Sequence, residues 1–129
     1  MLVIDTHIWI WMALDPAKLS KRAFEALRTA RADATIVVAD ISVWELAWFI
    51  GHQRINVFTP VEKFLASATS MVVVEPITAE IARLAVQLPR TFPRDPINRL
   101  IAATAISCNL PLVTADDAIR KSQVVQTVW

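Results

Sequence analysis

Asp5, Glu45, Asp95, Asn98 and Asp116 are the residues of this 129-residue chain whose types and placement could do chemistry together. Each carries a hard oxygen donor, and each follows an apolar stretch or stands where a helix is expected to begin. Carboxylates crowded together repel and raise one another's pKa values unless a cation neutralises them, so an acidic cluster asks for an ion. Hard oxygen ligands without a His or Cys cluster favour Mg²⁺ or Mn²⁺ over Zn²⁺. A magnesium site that keeps several waters suits phosphodiester hydrolysis, in which the metal activates water and steadies the developing oxyanion.

Every one of the four acids also has a purely structural reading. Asp5 follows the apolar run Leu2-Val3-Ile4 and could simply cap the helix that begins near Thr6. Glu45 stands three residues after Ser42, the capping-box position. Asp95 precedes Pro96, the ordinary N-cap and N1 pair that opens a helix. Asp116 and Asp117 follow an apolar run, where one can cap the next helix and leave the other free.

The elements that must position these groups follow from periodicity. Leu2–Ile4 reads as a buried strand, and Thr6–Leu14 as a short apolar helix carrying Trp9 and Trp11, stopped by Asp15-Pro16. An amphipathic helix is expected from Ser20 to Ala32, a second strand over Thr35–Ile41, and a helix from Ser42 to Gly51. A helix over Pro60–Ala68 leads to a third strand at Met71–Val74, and Thr78 opens a helix closed by Pro89. The most apolar helix spans Ile97–Cys108, followed by a strand at Leu110–Thr114, a short helix at Ala118–Lys121 and a last strand at Val124–Val128. Strands alternating with helices predict a parallel sheet covered on both faces. In that layout Asp5 and Asp116 leave carboxyl ends of strands, while Glu45, Asp95 and Asn98 lie in first turns of helices beginning at the same edge. Four carboxylates and a carboxamide converge there. No repeat, low-complexity run or linker divides the chain, so residues 1–129 are expected to form a single domain.

Composition narrows the classes further. Hydrophobic residues make up 55% and charged ones 19%, which fits a sheet buried on two sides with apolar surface left for a partner. The longest uncharged run, Leu100–Ala115, is interrupted by Asn109 and Pro111. It is shorter than the roughly 20 residues a spanning helix needs, so no membrane segment is expected. The N-terminus has no basic lead-in to its apolar residues, and a cytoplasmic protein is the expectation. A single glycine, Gly51, excludes a P-loop and a dinucleotide fingerprint, both of which need several. The lone Cys108 falls in an apolar helical pattern and reads as a small buried thiol. A net charge of +1 decides nothing about nucleic acid, because binding follows where basic groups cluster. The loop from Pro89 to Pro96, with Arg90 and Arg94, and Arg99 just beyond could grip a polyanion backbone or be merely solvated. Trp44 and Trp48 lie one turn apart on a common face, a pattern of core or partner surface more often than of base stacking.

Four segments carry a resemblance: Leu2-Val3-Ile4-Asp5-Thr6-His7, Ile41-Ser42-Val43-Trp44-Glu45, Asp95-Pro96-Ile97-Asn98-Arg99-Leu100-Ile101-Ala102-Ala103-Thr104-Ala105, and Leu112-Val113-Thr114-Ala115-Asp116. In this order and spacing the chain resembles the PIN-domain ribonucleases, and more narrowly the VapC toxins of toxin–antitoxin pairs. The resemblance implies a three-layer α/β/α sandwich with a mostly parallel central sheet. It further implies an endoribonuclease dependent on Mg²⁺ or Mn²⁺, an RNA substrate, homodimerisation and inhibition by a cognate antitoxin. Asp5, Glu45 and Asp116 match the family's metal-site acids, and Thr114 matches a hydroxyl position beside them. The departure is Asn98, where the family motif has Asp: an amide oxygen still coordinates, but it brings no charge and no base. Asp95, one turn away, would compensate. Two other readings share the same acids: a PIN-like module that binds RNA or antitoxin without cutting, and a small phosphoester hydrolase. Trp9, Trp11, Trp44 and Trp48 would serve either core packing or an apolar groove for an antitoxin helix.

Overall fold

Leu2–Ile4 forms β1, and all three of its side chains are buried. It occupies the middle of a five-stranded sheet in a computed structural model that describes residues 1–129. Ile36–Ala39 (β2) flanks it on one side and Leu112–Val113 (β4) on the other. Val73–Glu75 (β3) and Thr127–Val128 (β5) form the edges, giving the order β3-β2-β1-β4-β5 with every pairing parallel.

Side chains on a strand alternate between faces, and the two faces carry separate cores. Leu2, Ile4, Ile36, Val38 and Val113 pack on α1 (Thr6–Leu14), α2 (Lys21–Ala32) and α3 (Asp40–Gly51) through Ile8, Trp9, Leu27, Leu46 and Ile50. Val3, Val37, Ala39 and Leu112 pack on the opposite face against Phe92, against Ile101, Ala102 and Ala105 of α6 (Pro96–Ser107), and against Ile119 of α7 (Asp117–Ser122). Helices α4 (Val61–Thr69) and α5 (Ala79–Gln87) complete the layers, α5 meeting α6 where Ile81 and Ala85 touch Ala103. The result is the expected α/β/α sandwich, and no helix is long and apolar enough to cross a membrane.

Element starts follow local chemistry where a cap supplies it. Ser20 caps α2 by accepting from the Ala23 N–H at 3.1 Å, and Thr78 caps α5 through the Ile81 N–H at 3.1 Å. Helix α3 departs from expectation. It begins at Asp40, directly from β2, with no side-chain cap, so Ser42 lies inside the helix instead of opening it. The reason is tertiary: Asp40 Oδ2 accepts the Ile77 N–H at 3.1 Å, and buried Ser42 Oγ faces the Thr6 hydroxyl at 3.0 Å. Strand β3 begins two residues later than Met71, because the Met71 and Val72 amides still bond back to the Ala68 and Thr69 carbonyls at 3.4 Å each.

The chain passes from β1 to β2 on one side of the sheet, and β4 lies on the other. Strand order therefore reverses between β1 and β4, and in an open parallel sheet the crevice outside the carboxyl ends at such a point takes the ligand. Asp5 follows β1 and Asp116 follows β4, so the two acids flank that crevice.

Candidate active site

Asp5 ends β1 and caps α1, its Oδ1 accepting the Ile8 N–H at 3.1 Å. Its Oδ2 accepts from the Thr114 hydroxyl, and Thr114 Oγ1 in turn accepts the Asp116 N–H at 3.1 Å. One buried hydroxyl thus joins the carboxylate after β1 to the backbone after β4. Asp116 caps α7 through the Ile119 N–H at 2.9 Å, and Asp95 caps α6 through the Ile97 and Asn98 N–H groups at 2.8 and 3.3 Å. All these caps use Oδ1 alone in Asp95 and Asp116, leaving Oδ2 of each for the crevice.

Glu45 is the acid whose structural alternative falls away. Because α3 starts at Asp40, Glu45 sits in the second turn and has no capping box to complete. The Thr6–Ser42 contact pins the start of α1 to α3 one turn before Glu45, which fixes this carboxylate relative to Asp5.

These side chains line one pocket of about 270 Å³: Asp5, Glu45, Asp95, Asn98 and Asp116 face it together with His7. Burial pushes the Asp5 carboxyl above its usual range, against the opposing pull of the Thr114 hydroxyl and the Ile8 N–H. Burial likewise pushes Glu45 up, eased by the Thr6 hydroxyl and His7, with Asp95 and Asp5 adding repulsion. The Thr6 hydroxyl has a single proton to share between Ser42 and Glu45, and the 3.0 Å contact favours Ser42.

The donor set fits a hard cation. All five candidate ligands offer oxygen, yet no three His, Cys, Asp or Glu side chains are gathered tightly enough to close on one ion. The chemistry of the donors suits Mg²⁺ or Mn²⁺, which keep several waters and need only one or two carboxylates directly, and it does not suit a Zn²⁺ cage built of Cys and His.

The remaining sequence candidates are placed elsewhere. Thr114, the hydroxyl beside the acids and weakly a substrate contact by its sequence position, is fully buried and does not line the pocket, so it positions Asp5 instead of meeting substrate. None of Arg90, Arg94 and Arg99 lines the pocket. Arg90 and Arg94 are exposed and form no ion pair. Arg99 is a correction to the polyanion reading: its guanidinium donates to the carbonyls of Pro93 at 3.0 Å and of Ala85 and Leu88 at 3.2 Å each, and it lies over the Phe92 ring. A fork that saturates three carbonyls has little left for phosphate. It clips the end of α5 and the following loop to α6, just behind Asp95. Arg99→Lys, which keeps the charge and loses the fork, should cost about 2–3 kcal/mol in urea unfolding. Full stability together with a raised KM for RNA would return Arg99 to the substrate.

His7 and Trp11 were not expected at the site, although their spacing of four on a helix that starts at Asp5 was a usable signal. Among the tryptophans, Trp9 is a core residue, while Trp44 and Trp48 stand 54% and 36% exposed and are not core. Cys108 is only partly buried and has no disulfide partner.

Residues 2–123 match the PIN domain family. Ribonuclease VapC22 of Mycobacterium tuberculosis is 38% identical over 130 residues, covering 99% of this chain and 98% of that protein. Among solved structures, VapBC2 of Rickettsia felis bound to a DNA fragment from its promoter superposes with a TM-score of 0.74 at 17% identity, over 98% of this chain and 96% of that one. A toxin–antitoxin complex from Klebsiella pneumoniae gives 0.64 at 19% identity, over 90% and 87%. The latter two likenesses speak to the fold, and the first to the sequence as a whole.

Proposed function

This chain belongs to the PIN-domain family, in its VapC branch, and from that premise we propose that it is an endoribonuclease that hydrolyses RNA phosphodiesters at the acidic pocket with Mg²⁺ or Mn²⁺. The observation that carries the proposal is the convergence of Asp5, Glu45, Asp95, Asp116 and Asn98 on one crevice where the strand order reverses. We assign it further as the toxin of a toxin–antitoxin pair, a cytoplasmic homodimer silenced by a cognate antitoxin. What supports this is a full-length relative named as a ribonuclease and a structural neighbour solved as a toxin–antitoxin complex.

Asp5, Glu45 and Asp116 would hold the ion, one or two of them directly and the rest through waters, with Asp95 and the Asn98 carboxamide supplementing them. When bound, such an ion supplies Lewis acidity at the phosphodiester and makes water a usable nucleophile near neutral pH. The chain's own part is to aim its donors. Three of the acids are held by helix N-terminal amides, and Asp5 by the Thr114 hydroxyl as well, so the free Oδ2 atoms of Asp95 and Asp116 and the remaining lone pairs of Asp5 are fixed before any substrate arrives. Glu45 is the acid not tied to a cap, so its carboxylate is placed by the packing of α3 on α1 and remains for the ion. Arg90 and Arg94 remain exposed cations available to the RNA backbone.

Cleavage of a mixed single-stranded RNA by purified protein should require Mn²⁺ or Mg²⁺ and stop in EDTA; cutting that persists in EDTA would overturn the metal role. A second reading rests on Asn98, which removes one charge from the acid set: a PIN-like module that binds RNA or antitoxin without cutting. It would show as RNA binding and a metal-dependent rise in Tm with no cleavage at any metal concentration.

A further inference from the structure

We propose that a row of aromatic rings leading out of the acidic pocket along α1 and α3 is a stacking track for the bases of a single-stranded RNA whose phosphodiester lies in that pocket. The inference rests on the endoribonuclease reading above and concerns how that substrate is held.

The row begins inside the pocket, where His7 and Trp11 both form part of its wall. From Trp11 one neighbour is Trp129, with ring centroids 6.0 Å apart, and the other is His7 at 6.2 Å. The His7 ring lies 5.6 Å from Phe49, and Phe49 meets Trp48 edge-on at 5.7 Å. Trp48 and His52 end the row as a stacked pair, 4.0 Å apart and 19° from parallel. His52 is locked in that pose because its Nδ1–H donates to the Trp48 carbonyl at 2.9 Å. The pair therefore presents a single plate.

Helical spacing ties this row to the chemistry. Glu45, Trp48 and Phe49 stand at i, i+3 and i+4 of α3 and His52, at i+7, caps its C-terminus, so the acid and the rings share one stripe. His7 and Trp11 repeat that relation on α1, starting beside Asp5. The core does not claim every ring: Trp11, Phe49 and Trp129 are half-buried against it and anchor the row, whereas His7, Trp48 and His52 are exposed and have no packing reason to be aromatic.

Single-stranded RNA fits this surface better than a protein helix does. Lys18 lies 5.9 Å above the Trp11 ring and Arg54 lies 6.0 Å from that of Trp48, so cations mark both stretches of the row. Rings interleaved with cations and continuous with a phosphodiester pocket are what a strand with splayed bases uses: its bases stack and its phosphates meet the charges. A partner helix would find a continuous apolar lining instead in the separate groove formed by Met12, Leu19, Phe24 and Leu27.

The test uses full-length protein and a labelled eight-nucleotide single-stranded RNA, with Trp48→Ala, Trp48→Ala/His52→Ala and Trp48→Phe variants whose folding is checked by circular dichroism. The double variant should bind the RNA about tenfold or more weakly in fluorescence anisotropy, the loss expected for one stacked base. It should raise KM for cleavage while kcat is retained, and Trp48→Phe should recover most of the affinity. An RNA duplex, whose bases are already stacked, should distinguish the variants from wild type far less. Unchanged KM and affinity in a wild type that cuts RNA would overturn the track alone; a wild type that neither cuts nor binds RNA would overturn the endoribonuclease reading with it. If Trp48→Ala instead changes the mass of the particle in light scattering and leaves RNA affinity intact, the face belongs to a protein interface and the proposal falls.

Discussion

Asp5→Asn should lose RNA cleavage by roughly 100-fold or more while the metal-free protein becomes more stable, not less. The shape of the residue is retained: an asparagine oxygen can still accept the Ile8 N–H that caps α1, and its amide N–H can donate to Thr114 Oγ1, reversing the bond that hydroxyl now gives to Asp5. What disappears is a buried charge. Because burial raises the carboxyl of Asp5, the folded state holds its proton to higher pH than the unfolded chain does, whose value is near 3.8. A raised acid contributes stability that is fully present below the unfolded pKa and lost as pH rises through the folded one. Glu45 is shifted in the same direction from 4.5, so the Tm of metal-free wild type should fall as pH climbs from about 4 toward neutrality. In Asp5→Asn that decline should be shallower, and at pH 7 a gain of about 1 kcal/mol would appear as roughly 3–5 °C in a chain of this size. Adding Mn²⁺ should reverse the ranking, raising the wild-type Tm and leaving the variant where it was. A variant that still cuts RNA, or one that melts well below wild type without metal, would remove Asp5 from the metal site.

Asn98→Asp should act in the opposite sense. Residue 98 is the third position of α6 and lines the pocket, so a carboxylate there would join Asp5, Glu45, Asp95 and Asp116 around the same space. Without metal the added charge should destabilise the protein through repulsion, offset by about 0.3–1 kcal/mol from the helix N-terminus. With a divalent cation the extra charge should tighten binding by roughly 10–100-fold, seen as a larger Tm rise at limiting Mn²⁺ and a lower metal concentration for half-maximal cleavage. Faster cutting by this variant would mark the natural chain as an attenuated nuclease. An unchanged metal titration would mean that residue 98 lies outside the ion's reach.

Much of this was readable from local sequence, because the signals act over one turn of chain. Asp5, Asp95 and Asp116 were recognisable as caps, and they are caps; the same hydrogen bonds that begin the helices hold the carboxylates at the crevice. Glu45 was ambiguous for the same reason. Its spacing from Ser42 mimics a capping box, and only the direct passage from β2 into α3 at Asp40 removes that alternative. Arg99 misled because a cation beside an irregular loop looks free in one dimension, whereas three backbone carbonyls claim it in three.

By itself, then, the sequence determined the strands and helices, the parallel sandwich they must form, and the set of hard-oxygen donors at its carboxyl edge, since apolar periodicity and N-caps are encoded within a few residues. Only the tertiary structure decided which groups face one another. Thr114 reaches Asp5 across 109 residues and Thr6 reaches Ser42 across 36, and neither pairing has a local signal. The aromatic row has the same origin: its rings come from α1, α3 with its C-cap His52, and Trp129, and they align because the sheet brings those elements side by side.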